Sequence, residues 1–65
     1  MNWQYDPAGD VAYLSLLDAP VDESEEVRPG VVLDFGVDGR IVGIEVLGAR
    51  ALLPAALLVP SIAAE

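Results

Sequence analysis

Residues 31–47, VVLDFGVDGRIVGIEVL, carry the clearest structural pattern of the chain, because two alternating apolar runs flank the pair Asp38-Gly39. Asp-Gly favours the positive φ angles of a type I′ turn, so the stretch predicts a β-hairpin with these two residues as its loop. The register then places six apolar side chains on one face, in the pairs Phe35–Val42, Leu33–Ile44 and Val31–Val46. A shift of one residue would set Val31 against Glu45, so the alternation itself selects the register.

The opposite face of this hairpin is mixed and carries Val32, Asp34, Gly36, Ile41, Gly43 and Glu45. Asp34 lies in mid-strand and beside Gly43 in the proposed register. One interpretation is a solvent-facing Asp next to a Gly. The alternative is a polar pin that contacts Arg28, Arg40 or a partner.

A second hairpin precedes it, with strands at residues 3–6 and 11–17 around the turn Pro7-Ala8-Gly9-Asp10. Pro suits the first corner of such a turn, and Gly is the expected left-handed residue. A four-residue loop sets Tyr5 against Ala12 and Trp3 against Leu14. The aromatic residues Trp3, Tyr5 and Tyr13 favour core or subunit-interface packing over a binding patch.

Between the hairpins, residues 21–28 read VDESEEVR and are acidic on both faces. They form a loop or a short edge strand near residues 25–28, where charge blocks addition of another sheet. The carboxylates of Asp22, Glu23, Glu25 and Glu26 could also hold a hard cation such as calcium, although the EF-hand spacing and its mid-loop Gly are missing. Pro29-Gly30 forms the next corner.

After Leu47 the sequence becomes rich in Ala and Leu, which favours helix. We expect a short helix near residues 49–53 and another near 54–58, with Pro54 between them and Pro60 as the end. The chain therefore divides into a small β domain, residues 1–53, and an apolar tail, residues 54–65.

The fold class expected from these patterns is mainly β, an antiparallel meander of four to five strands built from two hairpins, with a short C-terminal helical segment. The residues that set turns or backbone geometry are Pro7, Asp10, Pro29, Gly30, Asp34, Asp38, Gly39 and Gly43.

A chain of 65 residues without Cys or His has neither disulfides nor the usual zinc ligands, and so small a domain is marginal alone. The hydrophobic fraction of 54% supports association instead, and we expect a homodimer. The candidate interface is Val32, Ile41, Leu52, Leu53, Leu57, Leu58, Val59 and Ile62.

The formal net charge is −8, from eleven acids and three arginines. We expect such a chain to bind neither nucleic acid nor an anionic membrane directly, because both carry negative charge. An acidic surface favours encounter with a basic protein, or simply keeps an apolar chain in solution. No basic-then-apolar leader follows Met1 and no apolar run is long enough to span a bilayer, so we expect a cytoplasmic protein.

Without His, Cys or Lys, the usual general bases, nucleophiles and Schiff-base amines are missing. A carboxylate pair could act on a glycoside, but so small a sheet offers little room for a cleft. We therefore predict that the protein is not an enzyme and uses no cofactor. The leading function class is a non-enzymatic protein–protein interaction module. The alternatives are a structural homo-oligomer and a small-ligand or metal-binding module that uses the acidic segment.

Three motifs in order resemble a known family. They are Y-D-P-x-x-D-x-x-Y-L-x-L from Tyr5 to Leu16, E-V-x-P-G-V-x-L-D from Glu26 to Asp34, and D-G-R-I-V-G-I-E-V-L from Asp38 to Leu47. Together, over residues 3 to about 53, they resemble the short bacterial proteins grouped as domain of unknown function 2283. Ala12 stands where the family usually has Leu, and the tail after Leu53 is variable.

The resemblance implies a small β-rich fold and a bacterial origin, and it brings no catalytic residues. The resemblance also implies that family members lie beside small basic ribonuclease-like toxins. This context implies an antitoxin role. That role agrees with the acidity and the apolar tail, each read independently from the residues.

Overall fold

The computed structural model describes residues 1–59, which form one five-stranded antiparallel sheet followed by two short helical turns. The strands are β1 (Asn2–Asp6), β2 (Val11–Ser15), β3 (Glu23–Arg28), β4 (Val31–Phe35) and β5 (Ile41–Leu47). Helix α1 (Ala49–Leu52) and a 3-10 helix (Ala55–Leu57) follow. The mainly β class, the two hairpins and the short C-terminal helical segment are confirmed.

The strand order is β1-β2-β5-β4-β3, which the sequence leaves open. Strands β3, β4 and β5 follow one another across the sheet, and the first hairpin joins them through antiparallel pairing of β2 with β5. In that pairing Ala12 faces Val46 and Leu14 faces Ile44. The connection from β2 to β3 therefore passes β5 and β4, and the acidic strand lies at the sheet edge.

The first hairpin has the expected register, with Tyr5 opposite Ala12 and Trp3 opposite Leu14. Strand β2 ends at Ser15, two residues earlier than expected. The left-handed residue of the turn is Asp10 (φ 55°), so the prediction that Gly9 takes this conformation is wrong. Asp tolerates this conformation when its carboxylate finds local hydrogen-bond donors, as Asp10 does here.

The turn of the central hairpin is longer than predicted, so the type I′ turn on Asp38-Gly39 is wrong. The Gly39 N–H donates to Gly36 O at 2.9 Å, and the Gly36 N–H donates to Arg40 O at 2.8 Å. Val37, Asp38 and Gly39 thus form a three-residue loop in which Gly39 alone has positive φ (86°). This is a type I turn closed by a left-handed glycine.

A β-bulge at Val42 reconciles the longer loop with the apolar pattern. The loop shifts the first pairs, so Phe35 faces Ile41 and not Val42 as predicted. One extra β5 residue, Val42, then restores the predicted pairs Leu33–Ile44 and Val31–Val46. Burial of alternate side chains therefore sets the register, and the bulge absorbs the mismatch.

The β3–β4 turn requires a glycine. Pro29 and Gly30 occupy its two corners, and Gly30 has φ 84°, as the second corner of a type II turn demands. A side chain at Gly30 would meet the Leu47 carbonyl at 2.7 Å, and the Gly30 O accepts the Leu47 N–H at 2.7 Å. Gly30 thus allows the turn to lie directly against the end of β5.

The buried core occupies one corner of one sheet face. Tyr5, Ala12, Val46 and Ala49 form it, and Trp3, Leu53 and Leu58 pack against it. Val42 at the bulge is also buried, outside this cluster. The Trp3 indole N–H donates to Leu57 O at 2.9 Å and fastens residues after α1 to β1. The C-terminal segment therefore covers its own sheet, at the β1–β2–β5 end.

Candidate functional site

Asp10 joins the first turn to the start of α1. Its carboxylate Oδ1 accepts the Tyr5 hydroxyl at 2.9 Å and the Arg50 backbone N–H at 3.0 Å. Its carbonyl accepts the Ala49 N–H at 3.0 Å, and the Arg50 guanidinium donates to Pro7 O at 3.0 Å. These bonds give the Y-D-P-x-x-D motif a structural role, which is to hold α1 over the sheet.

The Tyr5 phenol is almost wholly buried, with 3% of its surface exposed. Burial raises the pKa of Tyr5, and the hydrogen bond to Asp10 raises it further. Both effects favour the neutral phenol. Tyr5 therefore acts as a hydrogen-bond donor and core residue at neutral pH.

A second polar cluster lies on the opposite face of the sheet, around Asp34. Asp34 is only 8% exposed and accepts the Ser24 hydroxyl at 2.7 Å. It lies opposite Gly43 on β5, as predicted. The solvent-facing interpretation is therefore wrong. Asp34 makes a polar contact between strands, but its partner is Ser24 on the edge strand and not the predicted Arg40. Arg40 instead pairs with Asp38 at 3.5 Å.

The Tyr13 ring covers this cluster from β2. A Cβ at Gly43 would collide with the Tyr13 hydroxyl and ring, so the ring lies over the bare glycine. Burial raises the pKa of Tyr13, and the neighbouring Asp34 carboxylate raises it further. The cluster of Tyr13, Ser24, Asp34 and Gly43 thus ties the edge strand β3 through β4 and β5 to β2.

The acidic residues of β3 line the edge of the sheet, and all six residues of the strand are exposed. Glu23 lies opposite Phe35, and Glu25 lies opposite Leu33. Glu26 accepts the Gly30 N–H at 2.9 Å, so it supports the turn. Strand alternation sends neighbouring carboxylates to opposite faces, and residues 1–59 contain no group of three candidate metal ligands.

The three arginines balance few of these charges. Arg40 pairs with Asp38, and Arg50 lies 3.8 Å from an Asp10 carboxylate oxygen. Neither contacts β3 through an ion pair, and Arg28 makes none within the described part of the chain. Within residues 1–59 the carboxylates of the acidic edge therefore make no ion pair, although Arg28 ends the same strand.

One apolar row runs across the sheet without full cover. Trp3 faces Leu14, Leu14 faces Ile44, and Ile44 faces Leu33. All four are half-buried, although three of them, Leu14, Ile44 and Leu33, lie on the interior strands of the sheet. We call this set, Trp3, Leu14, Ile44 and Leu33, the open row. It ends at the sheet edge in Glu25, which pairs with Leu33.

The residues expected at a subunit interface have different environments. Leu53 and Leu58 pack against the core of their own chain, and Val32 is half-buried. The exposed members are Ile41 (41%), Leu52 (49%), Leu57 (42%) and Val59 (55%). Ile62 and the Pro60 helix end lie outside the described residues. The interface itself stays a prediction, as does the division of the chain after Leu53.

The sequence pointed to Asp10 and Asp34 as structural residues but not to their neighbours in the fold. These are Tyr5 for Asp10, and Tyr13 and Ser24 for Asp34. The Tyr5–Asp10 bond is local, and the spacing of five residues around a Pro-Gly turn was the available signal. The Tyr13 contact depends on β2 pairing with β5, which no local pattern shows.

These features define a small, mainly β protein with a single antiparallel sheet whose polar clusters fasten its strands. The chain belongs to the family described as protein of unknown function DUF2283, whose model matches residues 2–50. The resemblance seen in the three sequence motifs is thereby confirmed. Neither the curated proteins nor the solved structures yielded a match. No helix within residues 1–59 has the length and apolar character needed to cross a membrane.

Proposed function

We propose that the protein is a non-enzymatic interaction module that binds a basic protein. The observation that carries the proposal is the open row and its acidic end. An apolar strip crosses one face of the sheet and meets the carboxylates of Glu23 and Glu25 at the edge. Such a surface suits a partner with an apolar centre and a positive rim.

The charge distribution supports a basic partner in particular. The net charge is −8, and the residues of β3 are all exposed. Complementary charge accelerates association and excludes acidic competitors. Basic residues of a partner would find Glu23 and Glu25 free of local ion pairs in residues 1–59.

The finer form of the proposal is an antitoxin that neutralises a small basic toxin in the bacterial cytoplasm. It comes from the family resemblance, with the acidic edge as independent support. In this role the open row would pack against an apolar surface of the toxin, and the carboxylates of β3 would meet its basic residues. The bacterial origin and the cytoplasmic location are part of the same proposal.

Gene neighbourhood and co-purification test the proposal: a small basic protein that is co-transcribed with this chain should be retained by it. The double variant Glu23→Gln/Glu25→Gln removes two negative charges from β3 and should weaken retention. The matched control Asn2→Lys/Gln4→Lys also raises the net charge by two, but on β1 at the opposite edge. Equal loss of retention in the two double variants would show that only the net charge matters. Unchanged retention in both variants would contradict a binding edge at β3.

A second proposal, self-association as a dimer, rests on the C-terminal segment. Leu52, Leu57 and Val59 are exposed there, together with Leu47 at the end of β5. Burying this surface between two copies would remove it from water. We expect sedimentation at micromolar concentration to show a dimer.

The double variant Leu52→Ser/Leu57→Ser should dissociate that dimer. Its control is Val21→Ser/Val27→Ser, which also replaces two exposed apolar side chains, away from the C-terminal segment. A wild-type monomer of 6.8 kDa would refute the dimer. Dissociation by the control pair alone would move the interface elsewhere.

A further inference from the structure

A small pocket opens at the end of the sheet that carries the central turn. It has a volume of about 210 Å³ and lies between the connection that follows β2 and the β4–β5 loop. Its walls are formed by the apolar side chains of Leu17, Ala19, Pro20, Val21, Val37 and Val42. Asp22 and Asp38 add one carboxylate each.

The connection that forms one wall is tied to the sheet. The Val42 carbonyl at the bulge accepts the N–H groups of Leu16 and Leu17, at 2.8 and 3.2 Å. The Asp22 N–H donates to Phe35 O at 2.8 Å. These bonds hold the pocket open at both ends of the connection, so it is a preformed feature of the fold.

The walls remain unusually exposed for such apolar side chains. Val37 is 89% exposed, Leu17 54% and Val21 48%. Val42, which also lines the pocket, is only 2% exposed and lies two residues from Ile44 of the open row along β5. Exposed apolar walls around a small pocket favour a partner that inserts a side chain there.

We propose that this pocket receives the side chain of an arginine or lysine from the basic partner. The proposal rests on the function proposed above. The volume is below the roughly 300 Å³ at which pockets for drug-sized ligands begin, so it suits one side chain. The apolar walls would contact the aliphatic stem, as long basic side chains commonly require.

The charged end of that side chain would meet Asp22. Asp38 is already engaged, since it accepts the Arg40 N–H at 3.1 Å and pairs with the Arg40 guanidinium. Asp22 makes no ion pair within residues 1–59, and its side chain is exposed. The Asp22 carboxylate is therefore the free acceptor for a guanidinium or ammonium group.

An NMR titration with n-butylguanidinium tests the pocket without the partner. We expect saturable amide shifts confined to residues 17–22 and 36–42, and none with the uncharged analogue n-butylurea. Asp22→Asn should weaken binding about threefold or more. Asp18→Asn, which removes the same charge from the same connection but outside the pocket lining, should leave the affinity unchanged.

Shifts that fail to saturate, or an equal affinity in Asp22→Asn, would overturn the pocket. A second variant, Ala19→Leu, fills the space and should abolish the shifts while the remaining spectrum stays folded. Binding of the probe together with failure of the basic protein to bind would refute the proposed function alone. The reverse result would refute the pocket alone.

Discussion

The Tyr13 phenol on β2 occupies the space that a side chain at Gly43 on β5 would need. The absence of a side chain at Gly43 therefore leaves room for a residue of the neighbouring strand, because the Tyr13 ring can lie beside Asp34. Asp34 in turn accepts the Ser24 hydroxyl of the edge strand at 2.7 Å. One missing side chain thus lets residues from four strands lie together in one polar cluster.

Replacing Gly43 by Ala should displace the Tyr13 ring and lower the free energy of unfolding by about 1–3 kcal/mol, the usual cost of overpacking. Gly43 does not have positive φ, so Ala fits the backbone and the loss isolates the collision. Urea unfolding, followed by fluorescence of the single Trp3, measures it.

A double-mutant cycle supplies the control. In a Tyr13→Ala background the substitution Gly43→Ala should cost little, because the colliding ring is gone. An equal loss in both backgrounds would contradict the contact between Tyr13 and Gly43.

Local patterns predicted the register of the first hairpin and, beyond the bulge at Val42, that of the central hairpin. Tyr5 lies opposite Ala12 because the four-residue turn fixes the pairing, and Leu33 lies opposite Ile44 because alternation selects one buried face. The exposed acidic strand was likewise expected at an edge. In each case the relevant physics acts within one hairpin or one strand.

The details that local patterns missed depend on contacts made elsewhere in the fold. Asp10 takes a left-handed conformation because Tyr5 and Arg50 both donate to its carboxylate. The bulge at Val42 compensates for the three-residue loop. The Asp-Gly pair is compatible with a two-residue or a three-residue loop, so the sequence does not predict the bulge. The β2–β5 pairing joins segments that are distant in sequence. The cluster at Asp34 and the pocket beside Val42 depend on this pairing, so local patterns could not predict them.

Replacing Gly39 by Val should lower the free energy of unfolding by about 1–2 kcal/mol, because Gly39 has φ 86°. A Cβ at Gly39 would meet no atom within 4 Å, so the loss comes from the backbone alone. Gly39→Asn is the control, since Asn tolerates this conformation. Equal stability of the Val variant and the wild type, by thermal unfolding, would contradict the turn.

Replacing Asp10 by Ala should lower the free energy of unfolding by about 2–3 kcal/mol. The change leaves two donors without their acceptor and keeps a non-glycine residue at φ 55°. Asp10→Asn retains an oxygen for Tyr5 and Arg50 and should lose much less. Equal losses in a urea titration would instead assign the effect to the charge pair with Arg50.

Stability should fall in alkaline solution. Burial raises the pKa of both Tyr5 and Tyr13 above the usual 10.0, so the folded state favours the neutral phenols. This contribution is complete below about pH 10, the pKa of an unfolded tyrosine, and is lost as pH rises through the folded pKa values. Unfolding free energies across this range should fall less steeply in Tyr5→Phe/Tyr13→Phe. An identical fall in that variant would contradict the assignment.

The proposed interaction is tested most directly by isothermal titration of the intact protein with a small basic protein, chosen by co-transcription with this chain, at low and at high salt. We predict saturable binding that weakens as salt rises and weakens further in Glu23→Gln/Glu25→Gln, while Asn2→Lys/Gln4→Lys retains the wild-type affinity. No saturable binding at low salt, or an affinity that neither salt nor the β3 variant changes, would contradict the account.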